Sequence, residues 1–178
     1  VFEEGTLIHT TILPIGSANI TNDIAIGFKT DIDTAERIKL EFGSCLLRGG
    51  DKKTRAKIQL KPLVFSKKIL IEIIEARVSE LFGEINKELK KISRRELLPA
   101  GIVLTGGGAK LPKIADLAKK ELKLPARIGI PKGFFPAQED PVLSTVCGLV
   151  LLGSDFETEN KPQFFGKGIG SKLKRIFK

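Results

Sequence analysis

The 178-residue chain is 42% apolar and 29% charged, a balance that excludes disordered and fibrous classes and predicts a packed core in one or two small soluble domains. Its formal net charge of +9 favours an anionic partner such as nucleic acid, an acidic peptide or an anionic membrane. Cys45 and Cys147 are isolated thiols without metal-ligand spacing, and no signal-like segment opens the sequence, so a reduced, cytoplasmic setting is expected. No apolar run reaches the roughly 18 residues that a spanning helix needs.

The sequence opens at Val1-Phe2 as if within a strand and without a methionine, and is expected to be a piece of a longer protein. Phe2 and the β-branched stretch 7–13 flank Glu3-Glu4-Gly5-Thr6, which predicts a hairpin that turns at Gly5 and stops near Pro14. His9, the single histidine, has no Cys or Ser nucleophile near it in sequence and is assigned to a strand surface. Helical spacing from Ile20 to Phe28 predicts a helix capped by Asn19 or Thr21. A second helix is predicted from Asp31 or Asp33 to Phe42, with Gly43 as a left-handed stop. Residues 49–53 read as a polar turn, and alternation over 56–60 predicts a strand.

Ser66 is a candidate cap for the longest helix. Its apolar positions, among them Ile69, Leu70, Ile74, Val78, Phe82 and Leu89, recur at three- and four-residue steps, and Glu72, Arg77, Glu80 and Lys87 lie on the wet side. From Ala100 the rhythm becomes strand (101–104), glycine loop, helix (113–122) and strand (126–130), that of a layered α/β domain. Asp140-Pro141 opens a helix over 142–152 that is apolar enough to be buried, and the polar residues after Gly153 read as a linker.

In Thr105-Gly-Gly-Gly-Ala-Lys-Leu-Pro112 a strand runs into glycines and then a helix. Backbone without side chains thus stands by a helix N-terminus, where N–H groups can approach a ligand. A tight strand-to-helix turn with no ligand would show the same pattern. The loop is not a Walker A motif, because no Lys-Ser or Lys-Thr pair follows the last glycine, nor is it the spaced dinucleotide fingerprint. Taken with "ITNDIAIGFKTDIDTAERIKLEFG" (20–43), the stretch "GIVLTGGGAKLPKI" (101–114) resembles the FtsA family of bacterial cell-division proteins, within the actin, sugar-kinase and heat-shock-chaperone ATPase superfamily. The resemblance runs in order along nearly the whole chain.

It implies an α/β fold, the second lobe of an actin-like, ribonuclease-H-like structure. Residues 1–28 and 100–152 would form a large nucleotide-binding subdomain, 29–99 a smaller inserted one, 153–167 a linker and 168–178 an amphipathic membrane-targeting helix. It also implies an ATP site, with magnesium in the full-length protein. Gly106, Gly107 and Gly108 would run beside the adenine and α-phosphate, Lys110 beside the base, and Glu36 and Lys39, one helical turn apart, on ribose and adenine. In this family the phosphate loops and the acidic residues for magnesium and water lie upstream. The chain alone is therefore expected to bind ATP weakly and not to hydrolyse it.

The implied partners are the C-terminal peptide of FtsZ, received on the small subdomain with Arg77 as a carboxylate-binding fork, and further copies of the protein in a filament. The implied place is the cytoplasmic face of the membrane at the division septum. Two alternatives stand beside this reading. A kinase or chaperone ATPase of the same superfamily is disfavoured by the "TNDIA" and "TGGGAKLP" matches and the basic tail. An actin-like scaffold of the cell-shape or pilus-assembly type is the other.

On a helix, Ile169, Leu173, Ile176 and Phe177 would share one face, flanked by Lys172, Lys174, Arg175 and Lys178. Burying four such side chains gains roughly 6–12 kcal/mol gross, and ordering about ten residues costs roughly 10 kcal/mol. Attraction of about 1 kcal/mol per basic residue to anionic lipid tips the balance toward weak, salt-sensitive binding. With no Trp or Tyr for stacking, nucleic acid is disfavoured as the partner. Replacing Leu173 by glutamate is expected to abolish co-sedimentation with anionic vesicles; retention at the parental level would remove the anchor.

Overall fold

A computed structural model describes residues 1–47, 57–60, 63–94, 96–133 and 140–159, with side chains described as far as Gly153. The turn expected at 49–53 and the amphipathic segment 168–178 lie outside the described residues. The described chain is mixed α/β and divides into two compact units. One takes in residues 1–11, 103–109 and those from 128 onward; the other takes in 12–102 and 110–127.

Strands β1 (Phe2–Glu3) and β2 (Thr6–Leu7) pair antiparallel across Glu4-Gly5, whose φ values of 49° and 86° give the twist that suits a two-residue hairpin. β2 ends at Leu7 instead of near Pro14, so His9 lies past the strand. Helix α1 (Ser17–Phe28) starts ahead of the expected Ile20 because Asn19 caps from inside: its Oδ1 accepts from the Gly16 N–H at 2.8 Å. Thr21, the other candidate cap, is instead buried within the helix.

Asp31 caps α2 (Ile32–Phe42) by accepting from the Thr34 N–H at 2.8 Å. Gly43 ends that helix at φ −65°, so it is not the left-handed stop expected. Glycine is needed there for space: a Cβ would stand 2.3 Å from the Lys39 carbonyl oxygen and 3.1 Å from Ile74 Cδ1.

Strands β3 (Lys57–Leu60) and β4 (Leu63–Ser66) pair antiparallel, with Lys57 opposite Ser66, and β4 runs directly into α3 (Lys67–Lys91). Ser66 occupies the cap position but its side chain makes no cap hydrogen bond. Leu70, Ile74, Val78 and Phe82 are buried as the periodicity predicts, whereas Ile69 is half exposed and Ile71 takes a place in the core. The reason is that β4, α1 and α4 (Ile114–Leu122) all pack on α3, a wider surface than one helical stripe. α1 also packs on α2, completing the core of this unit.

Strands β5 (Ile102–Leu104) and β6 (Ala126–Ile128) pair, with the Ile102 N–H donating to Pro125 O and the Gly129 N–H donating to Leu104 O, both at 2.8 Å. Partners that advance together along both chains are those of a parallel pair. Asp140 caps a 3₁₀ turn, Pro141–Leu143, that leads into α5 (Ser144–Glu159). The polar residues from Ser154, read as a linker, are thus helical as far as Glu159. The expected burial of 142–152 also needs correction. Pro141 and Cys147 are buried, but Val146, Leu149 and Val150 are each more than half exposed, because among the described residues only one face of α5 is covered. No helix among the described residues is long and apolar enough to cross a membrane.

Two glycines separate conformational need from convenience. At Gly101 φ is +73° and a Cβ would lie 2.1 Å from the Pro125 carbonyl oxygen, whereas at Gly83, inside α3, a Cβ meets nothing within 4 Å. Gly83→Ala is expected to stabilise the chain by about 0.5–1 kcal/mol in urea unfolding, and Gly101→Ala to destabilise it by more than about 2 kcal/mol.

Candidate functional site

Three constellations hold the residues singled out by sequence. The first joins α1 to α2. Lys39 is 5% exposed, and its Nζ contacts Glu36 Oε2 at 2.6 Å, Thr21 Oγ1 at 2.8 Å and the Ser17 carbonyl at 3.3 Å. The Thr21 hydroxyl donates to the same Glu36 oxygen. A buried ammonium is tolerated only when oxygens replace its water, and three of them do so here. Glu36, 42% exposed, stands at the rim. Burial raises its pKa, but the hydrogen bonds from Lys39 and Thr21 and the charge of Lys39 outweigh this and hold the carboxyl below its ordinary value.

The second is the glycine loop. Gly106 has φ +84° and its N–H donates to the Pro141 carbonyl at 2.9 Å, an oxygen that also accepts from the Ser144 hydroxyl at 2.8 Å. With the Ser144 proton on the Pro141 carbonyl, the Thr105 hydroxyl has one proton for two acceptors, the Ser144 oxygen and the Gly129 carbonyl at 3.1 Å, and either bond pins the loop near the start of α5. A Cβ on Gly106 would meet open space, so the positive φ, not crowding, calls for glycine there. Gly107 and Gly108 fall in a 3₁₀ turn, Gly107–Lys110, that ends on the exposed Lys110. Helix α4 begins only at Ile114, after Lys113 in a left-handed cap. The helix N-terminus expected at the glycines is therefore this short turn instead. Gly106, Gly107 and Gly108 belong to one compact unit, and Lys110, Glu36 and Lys39 to the other.

The third lies between α1 and α3. Arg77 donates from Nε to Asp23 Oδ2 at 2.6 Å, from Nη2 to Asp23 Oδ1 at 2.8 Å, and from Nη1 to Glu80 Oε2 at 2.7 Å. These three side chains, with Ile26, Gly27, Ile73 and Ala76, line an open groove of about 340 Å³. The floor is shallow because the helices approach closely: a Cβ on Gly27 would lie 2.7 Å from Ile73 Cδ1. Ile26 is 77% exposed within this lining.

Sequence reasoning missed Thr21, Asp23 and Ser144. Thr21 and Asp23 sit in the quoted "TNDIA" stretch, but only tertiary packing carries Asp23 to a partner 54 residues away. Glu80, one turn from Arg77, was legible as a neighbour. Cys45 offers no thiolate, since burial, with the charge of Glu75, pushes its pKa up to about 12.

Thr21→Val keeps shape and removes the hydroxyl at the centre of the first cluster. It is expected to cost about 1–3 kcal/mol in urea unfolding and to move the Glu36 titration back toward the ordinary glutamate value of 4.5, read by carboxyl NMR. Because the folded pKa of Glu36 is depressed, its contribution to stability is present above 4.5 and lost as pH falls through the folded value, so the variant should lose less over that fall than the parent.

Comparison with known proteins gives the family and the fold. The family model described as "Cell division protein FtsA" matches residues 1–148. The chain is 35% identical over 160 residues to the cell division protein FtsA of Pseudomonas aeruginosa, covering 86% of this chain and 38% of that protein. The proteins of the same name from Bacillus subtilis and Escherichia coli are 32% and 30% identical, covering 97% and 99% of this chain and 38% and 46% of theirs. The chain thus spans less than half the length of these curated relatives. Among solved structures it is similar to MreB5 of Spiroplasma citri bound to ADP, with a TM-score of 0.62 at 18% identity over 84% of this chain and 48% of that one. The same protein bound to AMPPNP gives 0.63 at 15% identity over 83% and 46%. These similarities, with the α/β architecture above, show that the chain has an actin-like fold and belongs to the FtsA family.

Proposed function

We propose that this chain is the part of an actin-like cell-division protein that receives the C-terminal peptide of FtsZ and forms one wall of an ATP site, and that the protein links FtsZ filaments to the cytoplasmic membrane at the division septum. The groove between α1 and α3 carries the reading. A guanidinium at the mouth of an apolar floor suits a short amphipathic peptide that brings a carboxylate to the fork and apolar side chains to Ile26, Ile73 and Ala76.

The ATP reading is supported by the solved neighbours, whose titles name ADP and AMPPNP, and by the residues themselves. The contacts of Glu36 fall on Oε2, which leaves Oε1 as an acceptor for a ribose hydroxyl, with Thr21 and Lys39 fixing the carboxylate from behind. Gly106 to Gly108 supply a stretch of backbone with no side chains of its own, which a base could approach, with Lys110 following it. Bound nucleotide serves assembly: it would order the protein for self-association, and magnesium would be held by residues of the full-length protein.

Membrane attachment rests on residues 168–178, outside the described residues. Their weak individual binding would be multiplied by many copies in a filament. On this reading the protein is a peripheral tether that helps assemble the divisome.

Arg77→Gln removes the fork and its charge while keeping a polar, uncharged side chain on the same stem. It is expected to weaken binding of the FtsZ C-terminal peptide by about tenfold or more in fluorescence anisotropy, with the far-UV circular dichroism unchanged. Parental affinity would remove Arg77 from the site.

A further inference from the structure

We propose that Asp23 is an internal competitor for the partner of this groove, holding the Arg77 fork until a carboxylate of the partner displaces it. The inference rests on the reading of the groove as the FtsZ peptide site. The arrangement is that of an occupied binding site. Both Asp23 oxygens face the two nitrogens, Nε and Nη2, that an incoming carboxylate would use for two parallel hydrogen bonds. Glu80 holds the third nitrogen, Nη1. One cation therefore stands between two carboxylates, and the mouth of the groove presents a net negative charge to a ligand whose recognition requires a carboxylate.

Exchange is physically accessible. The Arg77 and Asp23 side chains are 28% and 25% exposed, so water reaches both, and displacing Asp23 does not strand a charge in a dry interior. The backbone need not move. Gly27 and Ile73 keep the two helices in close approach, so the apolar floor persists while the rim side chains change partners. The displaced Asp23 carboxylate is then taken up by water. The best-fitting partner segment thus combines apolar residues for Ile26, Ile73 and Ala76 with a carboxylate for Arg77. A uniformly acidic segment would be repelled by Asp23 and Glu80, so Asp23 sets specificity as well as affinity.

The test compares the whole chain with its Asp23→Asn, Asp23→Ala and Arg77→Gln variants by fluorescence anisotropy against a labelled FtsZ C-terminal peptide. The two Asp23 variants are expected to bind about three- to tenfold more tightly than the parent, the factor that loss of one partly exposed competing ion pair releases, and Arg77→Gln to bind more weakly. Equal or weaker binding by both Asp23 variants, with Arg77→Gln still weakened, would overturn the competition and leave the groove reading standing. Arg77→Gln binding like the parent would overturn the groove reading and the competition with it. If the parent binds too weakly to measure, Asp23→Asn must bring binding into range, and its failure overturns the proposal. Without peptide, Asp23→Asn is expected to move the Arg77 Nε–Hε NMR signal toward that of solvent-exposed arginines; an unmoved signal would show that Asp23 does not hold the fork.

Discussion

Helix α1 has to satisfy two buried or half-buried polar partners on opposite sides, and the larger unit is organised around that constraint. Thr21 and Asp23 are two residues apart, so their side chains point about 200° around the helix from one another. Thr21 reaches Lys39 and Glu36 on α2, and Asp23 reaches Arg77 on α3. Ile20 and Ile24 lie in the core. If the Lys39 ammonium lost its oxygens, it would have to leave the interior or lose its charge, and the junction of α1 and α2 would open with it.

Both candidate binding features of this unit are by-products of the same packing. Glu36 is held at the rim because Lys39 is buried behind it, with Thr21 bridging the two. The groove exists because Gly27 lets α1 approach Ile73 while Ile26 is left largely outside the core. The residues proposed to meet a ligand are thus also structural, and a substitution there has to be read for stability before it is read for binding. The glycine loop, in the other unit, follows a different logic. It is pinned through the Pro141 carbonyl and the paired hydroxyls of Thr105 and Ser144 to the beginning of α5, so the position of the glycines depends on that helix start.

Local signals were legible where a residue answers to its neighbours in sequence. The hairpin at Glu4-Gly5, the Asp31 cap, the core face of α3 and the strand before Thr105 follow from φ preference, side-chain capping and apolar period, which act over a few residues. The family could also be read, because "TNDIA" and "TGGGAKLP" are local strings. Misreadings occurred where local and long-range demands compete. Gly43 suits a left-handed stop in isolation, yet it is glycine because the Lys39 carbonyl and Ile74 leave no room for a Cβ. The stretch 142–152 is apolar enough to be buried, but burial depends on which elements cover it.

The sequence by itself determined the order of helices and strands, the glycine loop, the basic amphipathic pattern near the C-terminus and membership of the FtsA family, all of which are recorded in short-range pattern. Tertiary structure alone decided what Lys39 and Arg77 do. From sequence, Arg77 reads as a cation on a wet helix face and Lys39, by resemblance, as a contact to nucleotide. Packing buries one under three oxygens from two helices and hands the fork of the other to a carboxylate 54 residues away. The physical reason is that the role of a charge is set by the groups within about 3–4 Å of it and by how much water remains, and neither is encoded in the spacing along the chain.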